Sequence, residues 1–153
     1  MIALWPEAIT AGMISGSLCH ILDIMPTLLD ITCVSYLDKF RGNAILPMEG
    51  ESLYTVFQGD TEWNRSPILY KFSGNSFLKE GDWKLVAQVG DSWELYNLRA
   101  DRTETNNLVK KYPEKVRRVS EMYEDWAKRV GALSSEQAMK MPLNTRAHYT
   151  FQK

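Results

Sequence analysis

The sequence predicts an α+β lobe in its second half: a small antiparallel sheet of about four strands covered by one long helix. Three observations carry that expectation. The apolar runs ILYKF, SFLK, WKLVAQ and WELY follow one another between residues 68 and 96, separated by Gly-, Asn- and Asp-bearing turn signals. Turns this short join only antiparallel neighbours, so the strands form a meander. Beyond them Val116, Val119, Met122, Tyr123, Trp126 and Val130 recur at spacings of three and four, the stripe of an amphipathic helix.

Taken in order, residues 2–5 (IALW) form a short apolar run stopped by Pro6, which reads as a buried strand. A strand buried on both faces needs neighbours, and none precedes it in the sequence. In HILDIMPTLLDI, residues 20–31, Asp23 is expected to cap a helix with Pro26 in its first turn and Ile24, Leu28 and Ile31 on one face. Cys19 and Cys33 flank that helix, too far apart for a disulfide, and are expected as core thiols. Residues 35–50 read as loop, and residues 51–58 as one or two helical turns leading to a polar linker.

The third strand places Trp83, Leu85 and Ala87 on one face and Lys84, Val86 and Gln88 on the other. Asp101-Arg102-Thr103-Glu104 has the spacing of a capping box opening a helical turn through Leu108. Pro113 then starts the long helix, with Glu114 at its positive end, Lys128 and Arg129 at its negative end, and Gly131 beyond. The chain divides accordingly into residues 1–62, 63–133 and a polar tail, 134–153.

Composition excludes several function classes. With 18 basic and 19 acidic residues, the chain has no strong field for nucleic acid. No apolar run reaches the roughly 20 residues of a membrane span. Two cysteines and two histidines, His20 and His148, make no zinc framework. His20 reads as a hydrogen-bonded structural residue and His148 as solvated. Asp23 and Asp30 fit a solvated helix face better than an acid/base pair. Asp101, Glu104, Asn106 and Asn107 lack the alternating spacing of a calcium loop. Trp83, Trp93 and Trp126 fit core packing better than sugar stacking. Asn64-Arg65-Ser66 has the acceptor pattern for N-glycosylation. The residues alone specify neither a catalytic nor a metal site.

The motifs GDWKLV, WELYNL, the D-x-T-E-x-x-N-L run ending at Leu108, Tyr112-Pro113 and the helix carrying Trp126 resemble the C-terminal subdomain of the sulfatase (arylsulfatase) family. HILDIMPTLLDI, MEGESL (residues 48–53) and IALWPEAITAG (residues 2–12) are similar to the end of that family's catalytic domain. The resemblance implies a fold class of α/β and α+β: the C-terminal piece of an alkaline-phosphatase-like sulfatase, with residues 1–62 completing its catalytic α/β domain and 63–133 forming its α+β subdomain. It implies a sulfuric ester hydrolase using a formylglycine from a C/S-x-P-x-R motif, whose hydrate attacks sulfur, and calcium held by aspartates and an asparagine. Neither cysteine nor any serine here sits in such a motif. The chain is therefore expected to be a fragment beginning at an internal methionine. Its run 2–5 would belong to a sheet whose other strands lie elsewhere, and alone it should be inactive. A full-length parent would be exported, periplasmic or lysosomal and act on a sulfate ester. Gly74 and Asn75 match a hairpin that lies near the mouth of the active site in relatives and are the candidate substrate-rim residues. Ser76 stands where arginine is common, and a plain Ser-Gly-Asn turn is the competing reading. The alternative for the whole chain is a self-standing, noncatalytic binding or interaction protein.

Overall fold

The computed structural model describes residues 1–72, 74–133 and Gln137; the expected tail, with His148, otherwise lies outside the described residues. Two compact units divide the chain, Met1–Arg65 and Ser66–Lys153.

The first unit is organised around a buried carboxylate. His20 Nδ1 accepts from Leu22 N at 3.3 Å while His20 N donates to Asp23 Oδ2 at 2.6 Å, a reciprocal cap on the 3₁₀ turn Ile21–Asp23. Helix α1, Ile24–Ile31, continues from that turn. Asp23 makes no side-chain cap on α1, contrary to expectation. Instead it is wholly buried and accepts from Glu51 N at 3.0 Å and from the Arg65 guanidinium. Of the α1 residues expected to share an apolar face, Ile24 and Leu28 are exposed and Ile31 is half-buried. The buried positions are Pro26 and Thr27, and Thr27 Oγ1 accepts from Leu53 N at 2.9 Å.

Helix α1 ends with Cys33 N bonded to Asp30 O and Val34 N to Leu29 O, and Cys33 is left-handed at φ 55°. That geometry holds the thiol at an uncovered helix end, so Cys33 is exposed, as is Cys19, and the expectation of core thiols fails. The loop expected over residues 35–50 contains a hairpin, β1 Lys39–Phe40 with β2 Asn43–Ala44, turned by Arg41 and Gly42 at positive φ. Helix α2, Tyr54–Phe57, is the expected short helix. Residues 2–5 form no strand, and Ile2 is 98% exposed. An isolated strand has no ladder partner; Trp5 O instead accepts from Ala8 N and Ile9 N in a turn, and the Trp5 ring lies against Tyr54 at 6.2 Å.

Gly50 brings the 48–53 segment onto the turn before α1. A Cβ there would sit 2.0 Å from Leu22 O and 2.4 Å from Leu22 C, both backbone atoms that cannot swing aside. Gly50→Ala should therefore lower stability by about 1–3 kcal/mol, the usual cost of forced overpacking, read as a shift in urea midpoint at unchanged slope.

In the second unit β3 Ile68–Phe72, β4 Asn75–Glu80, β5 Trp83–Ala87 and β6 Glu94–Asn97 form an antiparallel sheet in the order 3-4-5-6. The register sets Leu69, Leu78, Leu85 and Leu95 side by side in a row across it. Helix α3, Pro113–Arg129, covers that row with Val119 and Tyr123. Tyr123 OH donates to Ser76 Oγ at 2.8 Å, and burial raises its pKa. Trp83, Trp93 and Trp126 pack against this core. Arg118 on α3 pairs with Glu80 on β4, and its hydrogen bond holds the carboxyl below the ordinary glutamate value. Gly131, at φ 66°, closes α3 with Ala132 N bonded to Ala127 O.

The turn expected over 101–108 is not helical. Asp101 accepts from Thr105 N at 2.9 Å and Asn106 N at 2.8 Å, while Glu104, left-handed at φ 57°, reaches across to Lys84 at 2.7 Å. Asn107 Oδ1 accepts from both Leu95 N and Val109 N. The D-x-T-E-x-x-N-L motif is thus a loop whose side chains satisfy its backbone, which competes with helix formation.

Candidate functional site

The sequence points first to the β3–β4 hairpin. Phe72 pairs with Asn75 in register at the end of the β3–β4 ladder. Gly74 has φ 84°, a conformation open to glycine and costly for a residue bearing a Cβ. Asn75 Oδ1 accepts from Val89 N at 3.3 Å, tying the hairpin tip to the loop between β5 and β6. On the sheet face away from α3, Tyr70 stacks on Phe77 at 5.2 Å between ring centres, and Phe72 is about half exposed at 53%. Lys84 lies on the same face, 5.8 Å from the Phe77 ring and paired with Glu104. The tip thus presents an aromatic ledge and a braced carboxamide.

The other candidates are not brought together. His20 caps a turn and Asp23 accepts from the backbone of residues 20 and 51, whereas Asp30 Oδ2 accepts from Ser52 Oγ at 2.6 Å. The two aspartates serve as separate pins for the 51–53 segment. The carboxylates of Asp23 and Asp101 are engaged by N–H donors and that of Glu104 by Lys84. Backbone hydrogen bonding from Asn106, above all, holds the Asp101 carboxyl below its ordinary pKa. Among the described residues no group of three His, Cys, Asp or Glu side chains could hold a metal ion. No described helix is long and apolar enough to cross a membrane.

Sequence reasoning missed Arg65, whose side chain is only 5% exposed. Nothing local marks it, because its partner lies 42 positions earlier.

The profile of the family described as N-sulphoglucosamine sulphohydrolase, C-terminal, matches residues 1–130. This chain belongs to that sulfatase family, as a C-terminal portion. Among its relatives is the N-acetylglucosamine-6-O-sulfatase of Bacteroides thetaiotaomicron, 26% identical over 141 residues, covering 84% of this chain and 24% of that protein. Human arylsulfatase K is 27% identical over 118 residues, covering 69% of this chain and 21% of that one. A solved structure described as a complex with its substrate D-glucosamine-2-N,6-O-disulfate superposes with a TM-score of 0.60 at 25% identity, covering 82% of this sulfatase chain and 27% of the other. The crystal structure of Ps i-CgsB, at 18% identity, shares the fold with a TM-score of 0.67 over 97% of this chain and 34% of that one. The sulfatase chain described here spans about a quarter of the length of the curated relatives it matches. The mixed α and β architecture, with its helix-covered sheet of four strands, is that of a sulfatase C-terminal portion.

Proposed function

We propose that this chain is the C-terminal part of a sulfuric ester hydrolase, supplying scaffold and the Gly74–Asn75 substrate rim rather than the chemistry. Formylglycine and calcium, in this reading, belong to other parts of the parent. The family match over residues 1–130 carries the proposal. Two further observations support it. The sequence contains no C/S-x-P-x-R motif. The face of the first unit bearing Ile21, Ile24, Met25 and Leu28 is exposed, the kind of contiguous apolar surface a further part of a protein covers. At the rim Asn75 Nδ2 is the donor assigned to a substrate oxygen, its carboxamide held in place by Val89 N. In residues, 1–62 complete the catalytic domain and 63–133 form the rim-bearing subdomain.

Two measurements test the reading. The chain alone, with calcium present, is expected to release no product from a chromogenic aryl sulfate above a heat-killed control; turnover would overturn the division of labour. Within a full-length parent, Asn75→Ala should raise KM about fivefold with little change in kcat, as loss of one substrate hydrogen bond does. An unchanged KM would remove Asn75 from the rim.

A further inference from the structure

A cleft of about 500 Å³ opens between the β5–β6 loop and the strap at residues 107–109. Its size falls within the roughly 300–1,000 Å³ of small-molecule sites. Trp93 supplies its aromatic wall, and that indole is braced edge-on by Tyr123 at 5.1 Å. Glu94 is oriented by Tyr96 OH, which donates to it at 3.0 Å. Asn107 is fixed by the N–H groups of Leu95 and Val109, so its carboxamide has one orientation. Gln88, Asp91 and Ser92 add an amide, a second carboxylate and a hydroxyl, all exposed. None of the lining side chains is basic.

We infer that this cleft is a saccharide subsite for a ring bearing hydroxyl or ammonium groups and no sulfate. An apolar ring wall with fixed carboxylate and amide groups beside it matches a sugar, which offers one C–H face and a rim of hydroxyl donors. The two carboxylates repel an added sulfate and attract an ammonium. The cleft adjoins the candidate rim: Val89, which donates to Asn75 Oδ1, directly follows the lining residue Gln88. The inference deepens the sulfatase reading and rests on it for this placement. A sulfated sugar at the rim would have an unsulfated neighbour in the cleft, so the substrate class is a sparsely sulfated oligosaccharide rather than a lone sulfated ring.

The test titrates the ¹⁵N-labelled full chain with an unsulfated glucosamine tetrasaccharide and, separately, with its N,6-O-sulfated counterpart. The Trp93 indole N–H is expected to shift with the first, and the sulfated form to bind about tenfold more weakly. Asp91→Asn and Gln88→Ala, both at exposed positions, should each weaken binding of the unsulfated form about threefold to tenfold, the other indole signals reporting an intact fold. No shift of Trp93, equal binding of the sulfated form, or unaltered binding by both variants would overturn the inference. Binding is read on this chain without turnover. A failure here therefore leaves the sulfatase reading standing, and an active aryl-sulfate assay of the chain alone would not disturb the cleft.

Discussion

Replacing Asp23 with alanine is expected to destabilise the first unit by about 3–5 kcal/mol, the cost of breaking a buried ion pair from one side. The carboxylate has no exposed surface and accepts from His20 N at 2.6 Å, Glu51 N at 3.0 Å and the Arg65 guanidinium. Its loss strands a cation whose side chain is 5% exposed and whose Nε is already buried without a partner. It also takes the acceptor from two backbone donors, one of them 28 residues along the chain from Asp23. Arg65→Met should cost less, because Asp23 would keep both backbone donors and the unpartnered Nε would go. The readout is the pair of indole signals from Trp5 and Trp63 during urea unfolding, since both lie in this unit. If Arg65→Met proved the more damaging of the two, the ion pair rather than the backbone anchoring would be what Asp23 provides. Gly50 acts at the same junction, because it lets the residue 50–51 peptide approach Leu22 and Asp23. The Asp23 and Gly50 substitutions should therefore combine less than additively.

What the sequence could reveal follows from the range of the forces involved. Helix α3 and the meander were legible because period and turn chemistry are local, and Gly131 marked the helix end by its backbone freedom alone. The same termination at Cys33 left no mark, since a cysteine in the left-handed region is held there by its neighbours' hydrogen bonds. Asp101 and Glu104 had the spacing of a capping box, yet the aspartate reached N–H groups four and five residues on and the glutamate found Lys84. A pattern read in sequence cannot rank a local cap against a partner 20 residues away. Asp23 shows the same limit, its role being set by residues 51 and 65. At the tip of the β3–β4 hairpin, Gly74 and Asn75 were legible as a turn, and the structure adds the bond to Val89. The cleft was not legible as a cleft, because its polar lining comes from residues 88–92, from Glu94 at the start of β6 and from Asn107, groups that look solvated in isolation.

Leu85→Ala is expected to cost the second unit about 2–5 kcal/mol, the range for emptying a buried leucine site. The upper half of that range is the expectation, for a geometric reason. Leu85 is 0% exposed and stands in register between Leu78 and Leu95, both equally buried, beneath the α3 residues Val119 and Tyr123. A cavity there is walled on two sides by hydrogen-bonded strands, which cannot move inward without breaking the ladder, and above by a helix. Tyr123 fastens that helix to β4 through Ser76, and Arg118 fastens it through Glu80, so α3 is also hindered from settling into the space. Leu69 offers the contrast: it lies at the β3 edge of the same row and is only partly buried, so Leu69→Ala should cost less than half as much. Indole signals of Trp83, Trp93 and Trp126 report this unit, and their urea midpoint should fall while those of Trp5 and Trp63 hold. Should all five indoles shift together, the two units unfold as one cooperative body; should Leu69 and Leu85 cost the same, the cavity is collapsing and the bracing by Tyr123 and Arg118 is not rigid.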